Sequence, residues 1–250
     1  MTNPARISRR ALLIRAAAIG ATAALPGSVL LSTPGYAAQK PYRTSVEEAV
    51  ERLRERNARV LTGRPSRNGW EMENAADTHG SVYTRPVPGT PLEGIQVRLG
   101  EVETVLVHLV RRFHYEIDTL REGDVIGWRA PDRIRTRLPE SNQASGTAVQ
   151  IRPGHYPSGT RGGYFPLQVT VVRDILAELG GVVRWGGDDA TPDESLYYLD
   201  VRPGDSRLTS VARRLQGWRD TPGLGAGAPV DVLARDRRDA AKTLERRQRG

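Results

Sequence analysis

The sequence predicts an α+β fold, with a small mixed or antiparallel sheet flanked by helices. Three observations predict it. Apolar residues recur at helical spacing over 102–120 and again over 171–179, each run fitting one face of an amphipathic helix. Residues 67–99 carry their apolar side chains in short runs split by Gly80, Pro86, Pro88-Gly89 and Gly94, as a β-meander does. Further short runs at 124–129, 148–151, 182–185 and 196–201 read as strands between polar loops. A length of 250 residues suits one domain plus extensions, enough to bury a core.

Residues 1–38 read as an export signal. Ser8-Arg9-Arg10-Ala11-Leu12-Leu13 is a twin-arginine pattern, an Ala-rich apolar stretch follows, and Gly35-Tyr36-Ala37-Ala38 offers small residues for cleavage. A transmembrane anchor is the competing reading, but Pro26, Gly27 and Ser28 interrupt the apolar run. Residues 39–100 hold a helix and the meander. The helix spans 44–61, capped by Thr44 or Ser45, with Val46, Val50, Leu53, Val60 and Leu61 on one face. A core follows over 101–219. Its first helix places Val102, Val105, Leu106, Leu109, Val110, Phe113, Ile117 and Leu120 together. In the stretch 141–151, Gly146, Thr147 and Ala148 allow close backbone approach, and Val149 and Ile151 alternate with Ala148 and Gln150 as in a half-buried strand. Pro166 opens a helix that runs to Gly180-Gly181. Asp205 or Ser206 caps another, packed through Leu208, Val211, Leu215 and Trp218. Residues 220–250 are a Gly/Pro linker and a charged tail, helical or disordered.

Composition excludes several chemistries. With no Cys there is no disulfide, thiolate metal site or cysteine nucleophile. The four histidines, His79, His108, His114 and His155, do not make a His-rich metal site; His108 and His114 are six apart and point to different sides of their helix. The formal charge of +8 falls to +4 once the four arginines of the first 38 residues are removed. That is a weak argument for nucleic acid, and it suits an anionic cell wall.

The block Ser141-Asn142-Gln143-Ala144-Ser145-Gly146-Thr147-Ala148, then His155, Gly159, the Pro166 helix and Arg184-Trp185-Gly186-Gly187-Asp188 stand in a specific order. Over about 102–201 this pattern resembles the zinc D-alanyl-D-alanine carboxypeptidases and L-alanyl-D-glutamate endopeptidases of cell-wall metabolism. The resemblance implies their core fold, but the implied zinc ligands are replaced. Gln143 stands for the first His and Gln150 for the Asp. Tyr198 stands for the second His, or Leu196 in an ungapped match from Pro192. The implied acid/base carboxylate falls on Asp193 or Glu194. A catalytic zinc needs three protein ligands and an open water position, so neither zinc nor another cofactor is expected here.

The candidate cleft residues are Ser141, Gln143, Gln150, Arg129, Arg184, Trp185, Asp188, Tyr198 and Asp200. Two amides and a phenol suit hydrogen bonding. Arg129 matches a family position that receives a substrate carboxylate. Trp185 and Tyr198 are either stacking or core aromatics, and Asp188 orients the loop after its strand. The first reading is an exported, non-catalytic relative that binds peptidoglycan stem peptides or a wall-associated partner. The alternatives are a peptidase with a metal site rebuilt from Asp188, Asp189, Asp193, Glu194 or Asp200, and an interaction protein with a vestigial cleft.

Overall fold

In the computed structural model, residues 43–249 are described, with side chains from Val46 onward; the twin-arginine segment lies outside them. The described residues form one compact α+β unit. Helix α1 (Arg43–Ala58) leads into two separate two-stranded ribbons. One pairs β1 (Leu61–Pro65) with β2 (Glu71–Glu73), the other β3 (Val82–Arg85) with β4 (Ile95–Arg98). This corrects two expectations. The helix stops before Leu61, which is in a strand, and the single meander is two ribbons with a break at 74–81. Helix α1 is exposed throughout Val46–Ala58, and Val60 just beyond it is buried.

The central sheet has four antiparallel strands in the order β5 (Val125–Ile126), β6 (Ala148–Ile151), β8 (Leu196–Leu199) and β7 (Val183–Trp185). The strands are shorter than the apolar runs suggested. Strand alternation divides β8 cleanly. Tyr197 and Leu199 enter the main core with Val149, Ile151 and Val183, while Leu196 and Tyr198 meet Ala148 on the opposite face. All of Ala148–Ile151 is buried, so β6 is not the half-buried strand its alternation suggested. Helix α3 (Ser141–Ala144), itself fully buried, lies against β6 and β8.

Helices α2 (Glu101–Glu116), α4 (Pro166–Glu178) and α5 (Ser206–Arg219) supply the rest of the main core. Helix α2 ends four residues earlier than its apolar pattern. His114 Nδ1 accepts a hydrogen bond from the Leu120 N–H at 3.0 Å, closing the turn that buries Leu120. Pro166 at the first turn and Gln168, whose side chain accepts from the Phe165 N–H, start α4. Asp205 caps α5 by accepting from the Arg207 N–H at 2.9 Å. The charged tail is a helix, α6 (Arg235–Arg249), which buries Ala241, Leu244 and Gln248. No described helix is long and apolar enough to cross a membrane.

Candidate functional site

The polar residues of the 141–147 block are mostly spent on the turn at 66–70. Ser141 Oγ accepts from the Arg67 N–H at 3.0 Å, and Asn142 Oδ1 accepts from the Asn68 N–H at 3.1 Å. Asn68 Nδ2 donates to Thr147 Oγ1 and to the Leu199 carbonyl, both at 2.9 Å. Gly146 has φ of 67°, and a Cβ there would lie 2.7 Å from the Arg98 nitrogen. The close approach lets Gly146 O accept from the Arg98 N–H at 2.9 Å, stitching the block to β4. Ser141 is therefore structural and not open to a ligand.

The two glutamines do different work. Gln143 is fully buried, and its Nε2 donates to the carbonyls of Gly127 at 2.9 Å and Ile126 at 3.3 Å, tying α3 to β5. Gln150 donates from Nε2 to Asp193 Oδ2 at 3.0 Å. The other oxygen of Asp193 accepts from the Ser195 N–H at 3.1 Å and from Ser195 Oγ at 2.5 Å. Gln150 and Asp193 line a pocket of about 500 Å³ with Arg129, Arg133, Arg135 and Glu140.

Strand register pairs Gln150 with Leu196, not with Tyr198. Tyr198 lies opposite Ala148 on one side and Arg184 on the other. Its phenol donates to both oxygens of Asp189 at 2.9 and 3.0 Å, and Arg184 Nε sits 3.2 Å from the same carboxylate. Burial, with the charge of Asp189, pushes the Tyr198 phenol far above its usual range, so it stays protonated. Burial also raises the Asp189 carboxyl.

The remaining candidates disperse. Glu194 accepts from the Gly162 N–H at 2.8 Å and the Gly163 N–H at 2.7 Å, so it anchors a loop, and Asp193 is the carboxylate that lines the pocket. Asp188 has a fully buried side chain held by Arg173 and by Arg249 of α6, outside the cleft. Trp185 is a core residue whose Nε1 donates to the Glu194 carbonyl at 2.8 Å. Asp200 is exposed beyond the end of β8. His108 is buried, with its Nε2 bonded to Glu178 Oε1 at 2.8 Å.

The donors present do not fit the zinc that the resemblance implies. Gln143 turns its amide nitrogen to backbone carbonyls, Gln150 turns its own to Asp193, and Leu196 has no donor atom. Among the described residues no group of three or more His, Cys, Asp or Glu is placed to hold a metal ion. Sequence reasoning missed Arg133, Arg135 and Glu140. Their signal was the succession of arginines at 129, 133, 135 and 137 in one loop, interleaved with Asp132 and followed by Glu140. Comparison finds no matching family model, no matching curated protein and no matching solved structure.

Proposed function

We propose that this chain is an exported, non-catalytic and zinc-free relative of the cell-wall carboxypeptidases, and that it binds a peptidoglycan stem peptide or a wall-associated partner in the Arg129/Gln150/Asp193 pocket. One observation carries the reading: the Gln150 amide N–H donates a hydrogen bond to Asp193, across from an apolar Leu196. The pocket floor thereby offers hydrogen-bonding groups rather than a set of metal donors. A rebuilt metal site is less well supported, because Asp188, Asp189 and Glu194 each have their own protein partners.

The test uses protein from residue 39 onward, purified without chelators. Cosedimentation with purified sacculi and titration with soluble stem peptides should both register binding, weakened by Arg129→Ala and by Gln150→Ala. No binding to sacculi or to any stem peptide overturns the reading. Chelator-sensitive peptide cleavage moves the chain back among the metallopeptidases.

A further inference from the structure

We propose that α1 is a self-association element: the α1 helices of two copies of this chain pair antiparallel along a seam of Val46, Val50, Leu53 and Asn57. The spacing of those residues points to it. They follow one another in steps of four, three and four, the rhythm of a coiled coil, with Val50 and Asn57 at a positions and Val46 and Leu53 at d positions. The seam is unspent within the described residues. Val46, Val50 and Leu53 are 63%, 41% and 56% exposed, whereas Val60, which continues the series, is buried in the body. A helix exposed from Val46 to Ala58 draws little stability from packing, and its 16 residues are marginal alone in water. A partner along the seam would supply what the body does not.

The charges beside the seam select a second copy and set its direction. Glu47 and Arg54 both occupy e positions, and Ala49 and Arg56 both occupy g positions. Antiparallel helices set e against e and g against g, so Glu47 of each copy faces Arg54 of the other, giving two opposite-charge pairs. Parallel helices set g against e, which leaves Arg54 opposite Ala49 with no attraction. Arg54 has an exposed contact of 3.4 Å to Glu51 in its own helix, of a kind that contributes little and is readily exchanged. In the inner layers of the antiparallel pair, Val50 of one copy packs on Leu53 of the other. Asn57 meets Val46 in the outer layers, where water reaches its amide. The buried body begins at Val60, just past the helix, so antiparallel pairing sends the two bodies to opposite ends, where parallel pairing would crowd them together. A lipid surface is a poorer occupant, because α1 carries four glutamates and no aromatic residue.

Two heptads bury less than the roughly 1,200 Å² of a stable interface, so the dimer is weak and reversible. Sedimentation velocity on protein from residue 39 onward should show monomer at about 1 μM and a growing dimer fraction toward about 500 μM, as befits an interface below that size. Glu47→Arg and Arg54→Glu each set like charges together and should each weaken association at least about fivefold. An equimolar mixture of the two variants should recover the parent's association, because every reversed charge then faces its opposite. The chain has no cysteine, so single introduced thiols report the register. Val50→Cys should cross-link to Leu53→Cys in a mixture in preference to itself. Monomer at every concentration overturns the proposal, and so does association that neither charge reversal weakens. Loss of association in both variants without recovery on mixing counts against the charge pairing, and preferential self-cross-linking of Val50→Cys overturns the antiparallel direction.

Discussion

At the scale of single residues, the chain uses buried polar groups chiefly as cross-links. Glu73 is fully buried, and its carboxylate accepts from the Ser81 N–H at 2.9 Å and the Val82 N–H at 3.2 Å, with Arg98 at 3.4 Å. Glu73→Ala would leave two amides without their acceptor and a largely buried guanidinium, otherwise bonded only to the Glu71 and Ser145 carbonyls, without its countercharge. It should cost roughly 3–5 kcal/mol, read by urea unfolding. The two glutamines should separate in the same assay. Gln143→Leu strips the carbonyls of Ile126 and Gly127 of a donor and should cost about 1–3 kcal/mol with no direct effect on the pocket. Gln150→Ala should instead lower peptide affinity. Equal effects of the two changes on both stability and affinity would contradict this division.

At the scale of elements, α6 is fastened by charge as well as by packing. Glu178 of α4 receives His108 and Arg112 from α2 and Arg237 from α6, with Asp174 and Glu116 as the other acids of the cluster. Burial pushes the Glu178 carboxyl up, but the hydrogen bond from His108 and the charge of Arg112 outweigh it and hold it down at about 2. Its ordinary value is 4.5, so the unfolded chain takes up the proton first as pH falls. The resulting stabilisation is complete above about pH 4.5 and lost by pH 2; it amounts to roughly 3 kcal/mol. Glu178→Gln should flatten that part of the stability-against-pH curve, measured by denaturant titration between pH 5 and 2.5. An unchanged acid limb would show that another carboxylate governs it. The same docking depends on Gly181, which has φ of 75° and whose added Cβ would lie 2.6 Å from Leu244 Cδ1. Gly181→Ala should lower stability by about 1–3 kcal/mol, through backbone strain together with a clash against α6.

At the scale of the whole molecule, the N-terminal ribbons belong to the body that builds the site. Trp70 donates from Nε1 to the Val201 carbonyl at 2.9 Å, and Ser66 Oγ donates to Ser145 Oγ at 2.9 Å. Val82, Ile95 and Val97 are buried almost completely. Helix α1 shares none of this burial. Removing residues 39–58 should leave the melting temperature within about 2 °C of the parent, less than 1 kcal/mol for a domain of this size. Removing residues 39–99 should abolish cooperative melting. A folded, peptide-binding product of the longer deletion would mean that the ribbons are dispensable.

The fold class was legible because α2 and α4 carry apolar residues at helical spacing, and short apolar runs bounded by Gly, Pro and polar loops mark the strands. The absence of cysteine and the scarcity of histidine likewise limited the chemistry before any folding was considered. The roles of the polar residues were not legible. Ser141, Gln143, Asp188 and Glu194 carry the same functional groups as the residues that line the pocket, and only their partners separate them. Those partners are distant in the chain: Arg67 for Ser141, and Arg249 for Asp188. The opposition of Gln150 to Leu196 was also decided by the β6–β8 register, since a shift of two residues would keep every side chain on its face and place Tyr198 there instead. By itself, the sequence determined the fold class, which residues are apolar and which chemistries its residue types rule out, because these follow from composition and local periodicity, whereas the ends of the helices and strands did not. Tertiary structure alone decided that Arg129 and Asp193 meet in one pocket without ion-pair partners among the described residues, because hydrogen-bond partners are assigned only when remote segments close on one another.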